Sequence, residues 1–243
     1  METVEPEGCE SEPVDSEQRA SLAAERSRVY GFLAAVYNRL PDHQFAEGVS
    51  SANLGGFLSS LAEGEGLPQD VREGVRLIER FSRASKGKPV DELRTDLTVE
   101  RTRLLRGVRP DHGPPPPYES VYRGSEGQAE TRVSAAVARE YAQAGVGLAD
   151  GMREQPDYIG LELDFMRHLT EKEAEAWAKD EPDKAETYLD LEQAFLREHI
   201  TRWIPRFCDV VIEHADLDFY RGMAQVTKGF IEDELQKMKA MPD

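Results

Sequence analysis

Apolar residues along this chain recur every three or four positions and almost nowhere every second one. Val29, Leu33, Val36 and Leu40 fall on one stripe, with Phe32 and Tyr37 beside it, and the run stops before Pro41. That spacing predicts an amphipathic helix ended by a residue that cannot continue it. A shorter stripe over 53–61 carries Leu54, Phe57, Leu58 and Leu61. Pro68 suits the first turn of a helix bearing Val71, Val75, Ile78 and Phe81, because its missing N–H is unpaired there anyway. Leu93, Leu97, Leu104 and Leu105 mark the next helix, closed by Gly107. Val133, Val137 and Tyr141 mark another, stopped by Gly145 and Gly147. Pro156 opens a long helix carrying Ile159, Leu163, Met166 and Leu169 toward Trp177. After a break at Pro182 come Tyr188, Leu191 and Phe195. Ile200, Trp203, Ile204, Phe207 and Val211 follow, with Pro205 either a kink or a new start. Phe219, Met223, Val226, Phe230 and Met238 define the last helix. Val and Ile never alternate with polar residues over a useful length, so no strand is predicted. The expected fold is all-α, a single bundle of about ten helices over residues 19–243.

One stretch, residues 107–124, breaks the periodicity. Its four consecutive prolines at 114–117 favour polyproline II, a stiff spacer, and it ends in two tyrosines, Tyr118 and Tyr122. A rigid loop inside a helical domain is uncommon and tends to carry function.

Charge changes the picture next. Charged residues make up 32% of the 243 and the formal net charge is -17, so the chain repels nucleic-acid phosphate and anionic membrane surfaces. A partner carrying Arg or Lys is favoured instead, by an attraction that salt weakens. Residues 1–18 hold seven acidic side chains from Glu2 to Glu17 and few large apolar ones, and are expected to be a disordered, solubilising tail. A decoy for a basic peptide is the alternative. The two cysteines, Cys9 and Cys208, form no metal or disulfide pattern, which points to a reducing compartment. No apolar run approaches the roughly 20 residues of a membrane span, and no secretory signal is visible. Cytoplasmic residence and no stable membrane insertion are therefore expected.

Candidate chemistry is sparse. There is no phosphate-binding Gly-rich loop, no Gly-x-Ser-x-Gly elbow, no His-Glu-x-x-His and no EF-hand spacing. His43, His112, His168, His199 and His214 never pair at ligand spacing on one helix, and no metal or cofactor is implied. Asp157, Glu162 and Asp164 cluster at the start of one predicted helix. Two carboxyl groups there can do acid–base work, or they can simply cap the helix and complement its dipole.

Three segments together resemble the TorD/DmsD/NarJ family. Pro-Pro-Tyr-Glu-Ser-Val-Tyr at 116–122 is similar to the family's Tyr-x-Ser-x-Tyr loop. Gln-Pro-Asp-Tyr-Ile-Gly-Leu-Glu-Leu-Asp-Phe-Met at 155–166 is close to its Pro-Asp-His-Ile-x-x-Glu-Leu helix start. Phe195-Leu-Arg-Glu-His199-Ile, with Trp203, Pro205, Phe219 and Tyr220, completes the set. Tyr158 stands where the family usually has His. The resemblance implies a cytoplasmic chaperone, not an enzyme. Its partner would be the apo catalytic subunit of a molybdenum oxidoreductase of the DMSO reductase family. Such a chaperone binds the twin-arginine signal peptide or N-terminal region, delays export and supports cofactor insertion, alongside proteins that deliver the molybdenum cofactor. The implied peptide-binding residues are Tyr118, Ser120, Tyr122, Pro156, Asp157, Tyr158, Glu162, Phe165, His199 and Trp203. Asp157 and Glu162 would meet guanidinium groups and the aromatic residues would line the apolar part of a groove. Core packing is the competing role for Phe165 and Trp203. A small-ligand enzyme using Asp157 and Glu162, and a helical adaptor, are the alternative functions.

Overall fold

The computed structural model describes residues 15–51, 67–106, 114–124, 131–147 and 154–240. The helix predicted over 53–61 and most of the acidic tail lie outside them. In chain order the elements are α1 (Ser16–Asn38), α2 (His43–Ser50), α3 (Gln69–Ala84), α4 (Val90–Leu105), α5 (Glu119–Arg123), α6 (Thr131–Gln143), α7 (Ile159–Ala178), α8 (Pro182–Phe195), a π-helical turn (Leu196–Ile200), α9 (Thr201–His214) and α10 (Asp218–Ala240). Among the described residues, β pairing is confined to an isolated antiparallel bridge between Tyr118 and Tyr158. The expected all-α architecture is what forms.

The central helix is α7. Ile159, Leu163, Met166, Leu169 and Trp177 recur on it at three- and four-residue spacing and are all buried. Each of the large aliphatic side chains contributes about 1.5–3 kcal/mol by leaving water. α1 runs antiparallel along it. Arg26 meets Glu173, Ser27 Oγ donates to the Arg167 carbonyl at 3.1 Å, and Asn38 Nδ2 donates to the Gly160 carbonyl at 2.9 Å. Rising numbers on one helix meet falling numbers on the other. The α7–α8 hairpin turns at Asp180, whose φ of 57° is a left-handed conformation that Asp tolerates better than most residues.

α3 and α10 are also antiparallel, and they touch through backbone. A Cβ added at Gly74 would lie 2.6 Å from the Gly222 carbonyl oxygen, and one at Gly222 would lie 2.6 Å from the Gly74 carbonyl oxygen. Gly74→Ala should therefore destabilise the protein by about 1–3 kcal/mol through overpacking. The helix-propensity gain of about 1 kcal/mol only partly offsets this. A lowered urea midpoint at unchanged slope is the expected readout, and a raised midpoint would refute the close approach.

Several boundaries differ from the periodicity. α1 already includes residues 16–18, inside the stretch expected as tail. It ends at Asn38, so Leu40 leaves the stripe and is 59% exposed. α7 begins at Ile159, not Pro156, because residues 154–158 are used to bind the proline loop. Pro205 does not start a separate helix but lies inside α9. Its missing N–H would have bonded the carbonyl of Thr201, the residue that follows the π-helical turn.

Candidate functional site

The proline loop and the start of α7 are joined backbone to backbone. Ile159 N–H donates to the Pro117 carbonyl at 3.1 Å, and Glu119 N–H donates to the Asp157 carbonyl at 2.9 Å. Between these bonds the Tyr118 and Tyr158 rings approach to 5.5 Å. The five-residue α5 is too short to hold itself together. Asp157 supplies what it lacks: its Oδ2 accepts from Ser120 N–H at 2.9 Å, while its own carbonyl holds Glu119 N–H. Asp157 is thus a cap, but for α5 and across space rather than for the helix it precedes.

Tyr158 turns inward and donates its hydroxyl to the Tyr37 carbonyl at 2.6 Å. Arg101, also buried, donates to the same carbonyl and to the Tyr158 hydroxyl at 3.4 Å. Tyr37 lies in the last turn of α1, where free carbonyls and the negative end of the helix dipole favour a cation. A protonated imidazole at position 158 would meet that guanidinium as a like charge. A neutral phenol accepts from it instead, which gives the departure from the family pattern a physical basis.

Beneath α5 lies a buried polar network. Glu119 accepts from Arg123 Nη1 at 2.5 Å and from His199 Nδ1 at 2.8 Å. The other ring nitrogen of His199 meets Glu140 at 2.9 Å. With a carboxylate on each side, both ring nitrogens are donors and the ring is an imidazolium. Burial opposes that charge, but the hydrogen bonds to Glu119 and Glu140 outweigh it and hold the His199 pKa up at about 9. His199 sits in the π-helical turn and stacks on Phe195 at 4.9 Å. Trp203 Nε1 donates to Glu162 Oε2 at 2.9 Å. Burial, reinforced by the Glu119 charge, pushes the Glu162 pKa well above the usual carboxylate range, against the Trp203 hydrogen bond.

Aromatic packing encloses this network. Tyr122 lies 5.6 Å from Trp203 and donates its hydroxyl to the Pro115 carbonyl at 3.1 Å. Phe165 packs at 4.5 Å from Tyr141, whose hydroxyl donates to the Pro156 carbonyl at 2.9 Å. All ten residues named from the sequence therefore gather at one corner of the bundle. Their accessibility differs from an open groove, however. Tyr118 and Pro156 are partly exposed, whereas Ser120, Tyr122, Asp157, Tyr158, Glu162, Phe165, His199 and Trp203 are buried. In this conformation Asp157 caps α5 and Glu162 faces Trp203 and Glu119, so neither carboxyl group presents itself to solvent.

Sequence reasoning missed several participants. Glu119 lies inside the Tyr-Glu-Ser-Val-Tyr motif and was within reach of it. Arg101, Arg123, Glu140 and Glu154 had no local signal. Glu154 accepts from the Tyr118 hydroxyl and pairs with Arg106 at 2.9 Å, forming the outward edge of the corner. Among the described residues no group of three or more His, Cys, Asp or Glu side chains is placed to hold a metal ion. Nor is any helix there long and apolar enough to cross a membrane.

The class so defined is an all-α domain whose proline–tyrosine loop is fastened to the start of its central helix over a buried acid–imidazole network. Residues 65–209 match the nitrate reductase delta subunit family, and the chain belongs to that family, the TorD/NarJ group. It is 21% identical over 213 residues to the chaperone protein TorD of Vibrio cholerae, covering 88% of this chain and 91% of that one. It is 24% identical over 208 residues to the chaperone protein TorD of Aliivibrio fischeri, covering 86% and 92%. A crystal structure described as a redox enzyme maturation protein from Archaeoglobus fulgidus aligns with a TM-score of 0.43 at 21% identity, over 85% of this chain and 93% of that one.

Proposed function

We propose that this chain is a redox-enzyme maturation chaperone acting by binding rather than turnover. Its client is the apo catalytic subunit of a molybdenum-cofactor oxidoreductase of the DMSO reductase family. It holds the twin-arginine signal peptide or N-terminal region in the cytoplasm, delays export and supports insertion of the cofactor. Convergence of the three family-like segments on one corner carries the reading. There Tyr118, Pro156 and Glu154 meet solvent in front of Asp157 and Glu162. A net charge of -17 favours an arginine-bearing segment over an acidic one. Release of the client after cofactor loading distinguishes this role from that of a permanent adaptor.

Asp157→Asn tests the site without dismantling it, since an Asn oxygen still accepts from Ser120 N–H. A synthetic twin-arginine peptide, titrated at low and moderate salt, should bind this variant at least tenfold more weakly than wild type. Deleting residues 1–18 should weaken binding less, because loosely held surface charges contribute about 0–1 kcal/mol and are screened. Wild-type affinity in Asp157→Asn beside lost binding in the deletion would move the docking element to the acidic tail. Far-ultraviolet circular dichroism should show the helical signal retained in both.

A further inference from the structure

We propose that Arg106 and Arg123 are internal stand-ins for the arginines of the client, occupying two carboxylates, Glu154 and Glu119, that an arginine-bearing segment takes over when it docks. The inference rests on the client-binding reading and deepens it by naming the cation receptors of the corner and their built-in competitors.

The two pairs flank Tyr118. The Tyr118 hydroxyl donates to one oxygen of Glu154, and the other oxygen accepts from Arg106 Nη1 at 2.9 Å. Arg106 follows α4 directly and reaches across 48 residues to make this contact. Glu119 is the residue after Tyr118. Its Oε1 accepts from Arg123 Nη1 at 2.5 Å, and its Oε2 meets His199 Nδ1 at 2.8 Å. Arg123 Nη1 also donates to the Glu198 carbonyl of the π-helical turn at 3.1 Å. A guanidinium is therefore held at Glu119 by a fully buried carboxylate and a main-chain carbonyl from a distant element.

What sets Glu119 and Glu154 apart from the other acids of the corner is the cation that covers each. The Arg106 and Arg123 side chains are 47% and 37% exposed, so each guanidinium can swing into water and leave its carboxylate to another. Asp157 and Glu162 offer no such entry, being fully buried behind Ser120 N–H and the Trp203 indole. Glu140 is partly exposed, but its cation is the buried His199 ring. A partly exposed ion pair contributes little to stability, so one guanidinium replaces another at small cost. The internal arginines are tethered beside their carboxylates and compete with the client at high local concentration. They lower its apparent affinity and return to their carboxylates when it leaves. Asp157 acts behind them as a positioning residue, since it holds the Glu119 and Ser120 N–H groups.

Calorimetric titration of the full chain with a synthetic twin-arginine peptide tests this. The Arg106→Ala/Arg123→Ala protein should bind about tenfold tighter than wild type, because two exposed pairs no longer have to open. Adding Glu154→Gln to that protein should remove most of the gain. A control, Arg76→Ala/Arg83→Ala, takes the same charge from the exposed face of α3 and should stay within about twofold of wild type. If the Arg106→Ala/Arg123→Ala protein loses its helical circular dichroism signal, Arg106→Ala alone carries the test, with an expected gain of about threefold. Binding to wild type beside equal or weaker binding to the Arg106→Ala/Arg123→Ala protein overturns the stand-in role and leaves the client reading intact. An equal gain in the control also overturns it, by showing that net charge alone is at work. Absence of binding in every protein removes the client reading and the stand-in role together.

Discussion

Replacing His199 by Leu should destabilise the protein by about 3–5 kcal/mol, because a buried ion pair loses one partner and leaves the other without compensation. Glu119 is fully buried and would keep only Arg123 as a cation, while Glu140 would lose its partner altogether. Glu140→Gln should cost about 1 kcal/mol, since its side chain is 34% exposed and water replaces part of what is lost. The effect also has a pH signature. The His199 pKa is raised from 6.5 to about 9, so the stabilisation is complete below pH 6.5 and is lost as pH rises through about 9. A shift of that size corresponds to about 3 kcal/mol. Denaturant unfolding across this range should show wild type losing stability steadily and the gap to His199→Leu narrowing. A gap that stays constant with pH would mean that the ring stabilises by packing alone.

Arg26→Met should have a comparable effect at the opposite side of α7. Arg26 bonds Glu173 and Glu192, the latter at 2.6 Å, and lies 3.7 Å from Glu234. These carboxyl groups come from α7, α8 and α10, so a single guanidinium from α1 ties four helices together. Its side chain is 24% exposed and theirs are nearly fully buried. Burial raises the pKa of Glu192 and of Glu234 despite the arginine. Groups raised in this way stabilise the fold below their unfolded pKa, and that contribution is lost as pH rises through the folded one. Removing the cation raises them further. The loss should therefore be about 3–5 kcal/mol at pH 8 and smaller at pH 5, where the carboxyl groups take up protons. Arg26→Lys should fall between, because an ammonium keeps the charge but not the planar fork. An Arg26→Met protein equally destabilised at both pH values would refute the electrostatic account.

The helices were legible because burial imposes its period locally. Val71, Val75 and Ile78 had to share a face wherever that face pointed, and all are buried. The proline run had to interrupt the pattern, since four adjacent prolines remove four N–H donors. Glycine at 145, with φ of 73°, ends α6 as its position after Tyr141 indicated. The gathering of the motif residues at one corner was legible too, through their resemblance to a family rather than through any spacing.

What lay beyond the sequence is which group answers which. Asp157 reads as a cap from its place before a helix, but the N–H it holds belongs to Ser120, 37 residues away. His199 looks like one scattered histidine until residues 80 and 59 positions distant place a carboxylate on each ring nitrogen. Arg26 meets its two nearest partners across 147 and 166 residues. Period and punctuation follow from backbone geometry and the cost of wetting apolar surface, which act within a few residues. The state of a buried charge depends on every element packed around it. Local periodicity is thus enough to specify a helical bundle with an unusual loop, whereas the inward-facing acids behind that loop follow from packing between distant elements.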